Sequence, residues 1–334
     1  MLRSCALLLL AATACSSGPT LALSQLDPEI QRARCERLAR CQLFPDEASC
    51  NAYFRAIPDA SIAAAVAAHK LDYDAELGRQ CVDALARQSC DLTARDVRTP
   101  PAACRAMYTG RVAGGEMCSI DAECASATCE LPDNCPEAGC CVGACRPAQS
   151  PAKAGGGCAK DHDCADGLVC GVDLTCRAPG AADGACAADH ECAESLACIG
   201  ASGGTPGMCR KLPHAGEACG FQRCAEENLR CDDGSHTCVA RGLPGDPCPT
   251  ATECAINIEC DTATHLCREY PTLGMPCNGK CIGDAFCRTD DTGAGTCIAL
   301  LANNAACDGN QECVSTFCED GPVFRSCIDP YVCF

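Results

Sequence analysis

Hydrophobic and polar positions keep a helical period in only one part of this chain. Between Leu26 and about Ala113, the positions Ile30, Ala33, Leu38 and Cys41 continue an apolar stripe at roughly helical spacing. Asp27-Pro28-Glu29 carries a start signal, with a capping acid, proline at the first helical position and an acid in the first turn, and predicts a helix from that point. Pro45-Asp46-Glu47 opens a second helix carrying Cys50, Tyr53 and Phe54. Pro58-Asp59 opens a third through the alanine-rich run to Ala68, and Asp74 to Gln88 forms a fourth on which Cys81, Leu85 and Gln88 share a face. The alanine-rich helix is expected to be buried in the bundle rather than offered to a partner. Six cysteines, Cys35, Cys41, Cys50, Cys81, Cys90 and Cys104, are spread over this segment as staples between helices would be, in a pairing that sequence does not determine.

Past Gly114 the helical period gives way to a repeat, with a glycine shortly before the first cysteine of most units. The first cysteines of seven successive units are Cys118, Cys158, Cys186, Cys219, Cys248, Cys277 and Cys307, spaced 40, 28, 33, 29, 29 and 30. The second are Cys124, Cys164, Cys192, Cys224, Cys254, Cys281 and Cys313, and the third Cys129, Cys170, Cys198, Cys231, Cys260, Cys287 and Cys318. The fourth are Cys145, Cys176, Cys209, Cys238, Cys267, Cys297 and Cys327. Five units open with C-x5-C and place Asp or Glu before the second cysteine; the units at Cys219 and Cys277 shorten this loop and place Arg223 and Lys280 there. From the fourth cysteine of units two to six to the next first cysteine is always ten residues, so a fixed linker joins modules whose inner loops vary. Cys135, Cys140, Cys141 and Cys333 are additional, and their number suggests that at least one bridge leaves its unit or reaches the helical segment.

The stretches GGEMCSIDAECASATC and GGGCAKDHDCADGLVCGVDLTC resemble the cysteine-rich repeats of the Dickkopf N-terminal type, found in many predicted lipoproteins of myxobacteria-like bacteria. There a stapled helical segment similar to RCERLARC and CVDALARQSC often precedes the repeats. The resemblance implies a disulfide module and extracellular binding; a fold of this kind does not by itself imply an activity.

The expected fold is therefore small and disulfide-rich: a stapled α-helical bundle followed by seven short modules in an extended array. The boundaries are a signal peptide at 1–14, a tether at 15–25, the six-cysteine helical domain at 26–113, the first repeat with its extra cysteines at 114–154 and six further repeats at 155–334. Composition agrees, because the chain has 40 Cys in 334 residues, no Trp and 4% aromatic residues, and cross-links there replace a large core.

The opening MLRSCALLLLAATAC has the charge, apolar run and small residues of a signal peptide, too short to span a bilayer. Ala12-Thr13-Ala14-Cys15 resembles the bacterial lipobox, with Ala where Leu is usual, and the resemblance implies that Cys15 is lipidated. Losing Cys5 and lipidating Cys15 leaves 40 − 2 = 38 cysteines, an even number. Ser16, in place of an inner-membrane retention Asp, points to the outer membrane or cell surface. A soluble secreted protein cut at the same bond is the alternative.

Charge narrows the partners. Cys15 to Ala113 holds 12 acidic and 12 basic residues, whereas Gly114 to Phe334 holds 32 acidic and 13 basic, net −19. That surface repels nucleic acid and anionic headgroups, so the membrane is met only through the lipid anchor, and the expected partner is another protein or a wall or surface polymer. No cofactor is implied. The spacing C-x5-C in an exported chain favours disulfides over a zinc or thiolate cluster. Gly200-Ala201-Ser202-Gly203-Gly204 satisfies a hydrolase string but sits in a glycine-rich loop. His162 and His190, beside the acids that precede a second cysteine, read as solvated; Asp161, Asp163 and Asp166 fit no twelve-residue calcium loop, with weak loop-type calcium binding left as an alternative to plain solvation. No catalytic constellation is present, so the expectation is a non-enzymatic binding or surface protein, with a protease-inhibitor-like module or a metal-binding thiol protein as alternatives.

Overall fold

The computed structural model describes residues 20–54, 59–132, 142–147, 150–158, 161–171, 173–220, 223–250, 253–255, 258–261, 263–290, 294–302, 304–314, 318–320 and 325–327. The chain is disulfide-rich, with a few helices near its beginning and small two- and three-stranded sheets beyond them. Cys15, Cys135, Cys140, Cys141 and Cys333 lie outside the described residues.

Helix α1 (Leu23–Arg40) begins a turn earlier than Asp27-Pro28 suggests; Ala22 precedes it without a side-chain cap and Pro28 lies inside it. Tertiary contacts override the local signal. Leu21 and Leu26 are buried, the Leu21 amide donates to the Ala75 carbonyl at 2.9 Å, and the Tyr73 hydroxyl donates to the Leu21 carbonyl at 2.9 Å. Residues 21–25 thus belong to the packed body rather than to a tether. Helices α2 (Glu47–Tyr53), α3 (Ala60–Ala67) and α4 (Ala75–Arg87) start where their acids direct them. Asp46, Asp59 and Asp74 each accept backbone N–H bonds from the first turn, which satisfies donors a helix leaves open. In α3 only Ala65 is buried, so this helix lies half-exposed at the surface and not in the interior. Alanine methyls bury too little area to draw it inward.

Helix α1 packs on α4 around Leu21, Leu26, Ala33, Cys81, Val82 and Met107, and on α2 around Cys35, Leu38, Leu43, Phe44 and Cys50. Bridges Cys35–Cys50, Cys41–Cys90 and Cys81–Cys104 tie these elements together. Two short helices, α5 (Arg95–Arg98) and α6 (Ala102–Ala106), follow α4. The strand β1 (Leu71–Tyr73) pairs antiparallel with β2 (Tyr108–Gly110), an element the helical pattern does not announce.

Each of the seven cysteine-rich units joins its first cysteine to its third and its second to its fourth, as in Cys118–Cys129 with Cys124–Cys145 and Cys248–Cys260 with Cys254–Cys267. The same crossing recurs in the units of Cys158, Cys186, Cys219, Cys277 and Cys307. A backbone signature accompanies it. The residue three before each first cysteine has positive φ: Gly115, Gly155, Asp183, Gly216, Gly245, Gly274 and Asn304. Its N–H donates to the carbonyl of the fourth cysteine at 2.7 to 2.8 Å, and the fourth cysteine's N–H returns a bond of 2.8 to 2.9 Å to the next residue's carbonyl. Glycine, Asn and Asp tolerate that left-handed conformation best, which is why the position holds only these three. Each bridge closes a loop of 10 to 21 residues. Loops of that length are worth about 3 kcal/mol each in chain entropy, enough to stand in for a core the units lack.

The linker is fastened as well. Val112, Ala152, Gly180, Gly242 and Leu301, six residues before a first cysteine, form parallel bridges with the second cysteine of the same unit. Their N–H groups donate to the carbonyls of Glu123, Asp163, Glu191, Glu253 and Glu312. The units of Cys219 and Cys277 have Pro213 and Pro271 at this position. Proline has no N–H, and only its carbonyl takes part, accepting from Ala225 at 2.8 Å and from Ile282 at 2.9 Å.

The units do not simply run away from the helices, as an extended array would. The Leu92 amide donates to the Ala225 carbonyl at 2.8 Å and Ser195 to the Thr93 carbonyl at 3.3 Å, so the third and fourth units return to the segment after α4. Tyr270, in the linker to the sixth unit, stacks on Tyr53 of α2 at 6.4 Å. Nonlocal polar and aromatic contacts of this kind leave no period in the sequence.

Candidate binding surface

The acids that colour the cysteine-rich half are largely used in building it. Asp121, Asp161 and Asp189 each accept the N–H of their unit's third cysteine at 2.7 to 2.9 Å. Glu123, Glu191 and Glu312 are buried and accept the N–H of the residue after the first cysteine, at 2.8, 3.1 and 2.9 Å. Glu116, Glu217 and Asp246 close the turn before the first cysteine by accepting from Ala113, His214 and Leu243. The His214 amide holds the Glu217 carboxyl below its ordinary range. Asp161 thus commits one of its two carboxylate oxygens to the frame of its own unit. Asp163 lies 3.7 Å from Arg146.

The buried Glu123 and Glu191 and the partly buried Glu253 also meet cations from the preceding element. Lys70, just before β1, lies 3.4 Å from Glu123; Arg177, which follows a fourth cysteine, pairs with Glu191; and Arg230 of the fourth unit lies 3.3 Å from Glu253 of the fifth. Where the fourth unit replaces the acid by Arg223, the polarity inverts: Arg223 pairs with Asp189 of the third unit, and Arg210 turns to Asp183. Burial pushes the Asp189 carboxyl up, but Arg223 and the Cys198 amide outweigh it and hold the group below its ordinary value. Apart from Arg210–Asp183, which lies within the third unit, these ion pairs join one element to the next. Arginine directly after the fourth cysteine is a sequence signal for part of this: Arg146 and Arg177 reach the next unit's acid, whereas Arg210 and Arg268 pair within their own units.

Against the helices, Arg98 of α5 enters the third unit. Its guanidinium donates to the carbonyls of Leu92 at 3.3 Å and Asp189 at 3.0 Å, and to that of Leu196, and burial lowers its pKa. Arg37 of α1 donates to the Ser89 carbonyl at 3.1 Å and pairs with Glu227 of the fourth unit at 3.3 Å. His214 Nδ1 is 2.8 Å from Glu226, which raises the imidazole pKa from its ordinary 6.5. Gly283 of the sixth unit, at φ +74°, comes so close to the Ala52 carbonyl that a Cβ there would lie 3.0 Å away. None of these contacts is visible as a motif.

The sulfurs of the first, second and fourth cysteines of a unit lie within 4.8 Å of one another, as in Cys248, Cys254 and Cys267. The crossing of two disulfides produces this cluster, and sulfurs already bonded to sulfur are not thiolate ligands. All 34 cysteines singled out as structural in the helical segment and the seven units are disulfide-bonded. Ser202 lies in a turn between strands Ala197–Ile199 and Gly207–Arg210, exchanging backbone bonds with Thr205 at 2.8 and 3.2 Å, with Gly200, Gly203 and Gly204 at positive φ. That hairpin tip is not a strand-to-helix elbow. His190 is exposed, and the side chain of His162 lies outside what is described. Among the described residues no helix is long and apolar enough to cross a membrane.

The loops between third and fourth cysteines differ in length from unit to unit, whereas the bridges that frame them do not. No protein family, curated protein or solved structure matches the chain.

Proposed function

We propose that this chain is an exported, non-enzymatic binding protein, anchored by a lipid on Cys15 at the outer membrane or cell surface. A stapled helical bundle would hold seven disulfide modules whose acidic loops meet a protein or a wall polymer. The observation that carries the reading is the division of labour inside each unit. Cysteines, capping acids and the positive-φ residue are committed to one frame, while the loop from third to fourth cysteine ranges from Cys170–Cys176 to Cys129–Cys145. A constant frame with variable loops suits recognition. The extent of cross-linking supports an oxidising, extracytoplasmic setting. The cysteine spacing, similar to Dickkopf N-terminal-type repeats, supports extracellular binding as the use.

Fractionation tests the anchoring. Cys15→Ser is expected to move the protein from the membrane pellet to the soluble fraction, and intact mass should show acylated Cys15 and no free thiol in the parent protein. An unchanged pellet would overturn the anchor. Abundant free thiols with stoichiometric metal would replace the binding reading by metal handling.

A further inference from the structure

A cleft of about 500 Å³ opens where the fourth unit meets the fifth, with Arg230, Arg241, Asp232, Asp233, Thr250 and Glu253 in its walls. Arg230 uses its two Nη groups on Asp232 at 3.1 Å and Glu253 at 3.3 Å, whereas its Nε is buried and has no acceptor among the described residues. A buried donor without an acceptor costs about 1–3 kcal/mol, so an oxygen supplied from the cleft would be favourable. Arg241 brings a second, half-buried guanidinium, and burial together with the like charge of Arg230 presses its pKa down. A ligand carrying negative charge relieves both.

We infer that this cleft is a subsite for a carboxylate group presented by the binding partner, held against the adjacent guanidinium groups of Arg230 and Arg241. The inference rests on the binding reading above. Guanidinium groups match planar carboxylates through paired N–H donors. Asp232, Asp233 and Glu253 in the same walls disfavour a dianionic phosphate, which selects the singly charged, planar group. One wall, the turn at 231–234, belongs to a variable loop, while Arg230 precedes the third cysteine, Arg241 lies in the linker and Thr250 and Glu253 come from the next unit.

Arginine Nε–Hε resonances of the full oxidised chain report on the site directly. Titration with sodium acetate is expected to shift the Arg230 and Arg241 signals saturably at concentrations on the order of millimolar to tens of millimolar. Sodium chloride at matched ionic strength should not. Arg241→Gln should weaken the midpoint by about tenfold, Arg241→Lys should weaken it too because one ammonium cannot replace the fork, and the exposed Arg288→Gln should leave it unchanged. A flat titration, an equal response to chloride, tighter binding of inorganic phosphate, or full affinity in Arg241→Gln would each overturn the subsite. The wild-type titration decides even if a variant folds poorly. Partner capture that survives in Arg241→Gln with a flat titration would sink the subsite alone, whereas a saturable titration in a chain that captures nothing would sink the binding reading and leave the subsite.

Discussion

Removing one bridge from the fourth unit should do more than removing its counterpart from the seventh. Cys224–Cys238 and Cys313–Cys327 both span 14 residues, so the double variants C224A/C238A and C313A/C327A lose the same chain-entropy contribution, about 3 kcal/mol. What differs is the neighbourhood. The loop after Cys224 receives the Leu92 amide on Ala225, donates from Glu227 to the Cys90 carbonyl at 3.4 Å, and carries the Glu227 carboxylate that pairs with Arg37. With each hydrogen bond worth about 1 kcal/mol net, its loosening should release roughly 2 kcal/mol of restraint on residues 89–98. Every 1.4 kcal/mol is tenfold in the opening equilibrium, so protease cleavage within 89–98 should rise by at least about tenfold in C224A/C238A. In C313A/C327A it should stay within about twofold while the seventh unit itself is cut. Peptide mapping of the unreduced protein after brief proteolysis reads both segments in one digest. Equal cleavage of 89–98 in the two variants would refute the docking argument and restore a chain of independent modules.

Arg177→Ala should destabilise the third unit by about 2–3 kcal/mol, because it strands the 1%-exposed Glu191; the cost stays below that of a fully buried pair since Arg177 is itself about a third exposed, and a shifted urea midpoint for cleavage in that unit measures it. His214 supplies a pH dependence. Its pKa is raised in the folded protein, first by the hydrogen bond to Glu226 and then by the charges of Glu226, Asp91 and Glu217. The contribution to stability is therefore complete below the ordinary 6.5 and fades as pH rises through the folded value. With 37% of the side chain exposed the effect should stay under about 1 kcal/mol, and His214→Gln should flatten the difference between urea midpoints measured at about pH 5.5 and pH 8.5.

Local features were legible in the sequence where local chemistry decides them. Asp46, Asp59 and Asp74 mark helix starts because a carboxylate one residue before a helix meets free N–H groups, whatever lies around it. The recurring glycine before five of the seven first cysteines marks a left-handed turn, and Asp183 and Asn304 fill it where glycine is missing. Pro28 misled for the opposite reason. Pro28 costs the helix one backbone bond, to the Ser24 carbonyl, and the burial of Leu21 and Leu26 outweighs both that loss and the better cap. The pairing of first with third and second with fourth cysteine was not legible, since spacing alone admits other crossings. Nor were the contacts of Arg37, Arg98 and Tyr270, which link positions far apart in the chain and follow no period.

The two irregular units acquire a meaning in this light. The units of Cys219 and Cys277 shorten the first loop, exchange its acid for Arg223 or Lys280, and place proline where the others donate a linker N–H. All three changes fall around the second cysteine, where each of these units meets the helical segment: Ala225 and Glu227 after Cys224 meet the segment following α4, and Gly283 after Cys281 meets α2. A proline in the linker dispenses with the bond to the first loop, and a shorter loop leaves room for a neighbouring backbone to come close. Lys280 then lies 5.6 Å over the Tyr270 ring that stacks on Tyr53, and Arg223 reaches the preceding unit's Asp189. The third unit keeps the regular pattern and docks mainly through Arg98, a long side chain that enters from outside, with one longer backbone bond from Ser195 to Thr93. Departures from the repeat therefore fall in two of the three units that meet the helical segment through their second loops. The regular units keep the acidic first loop and the linker bond intact.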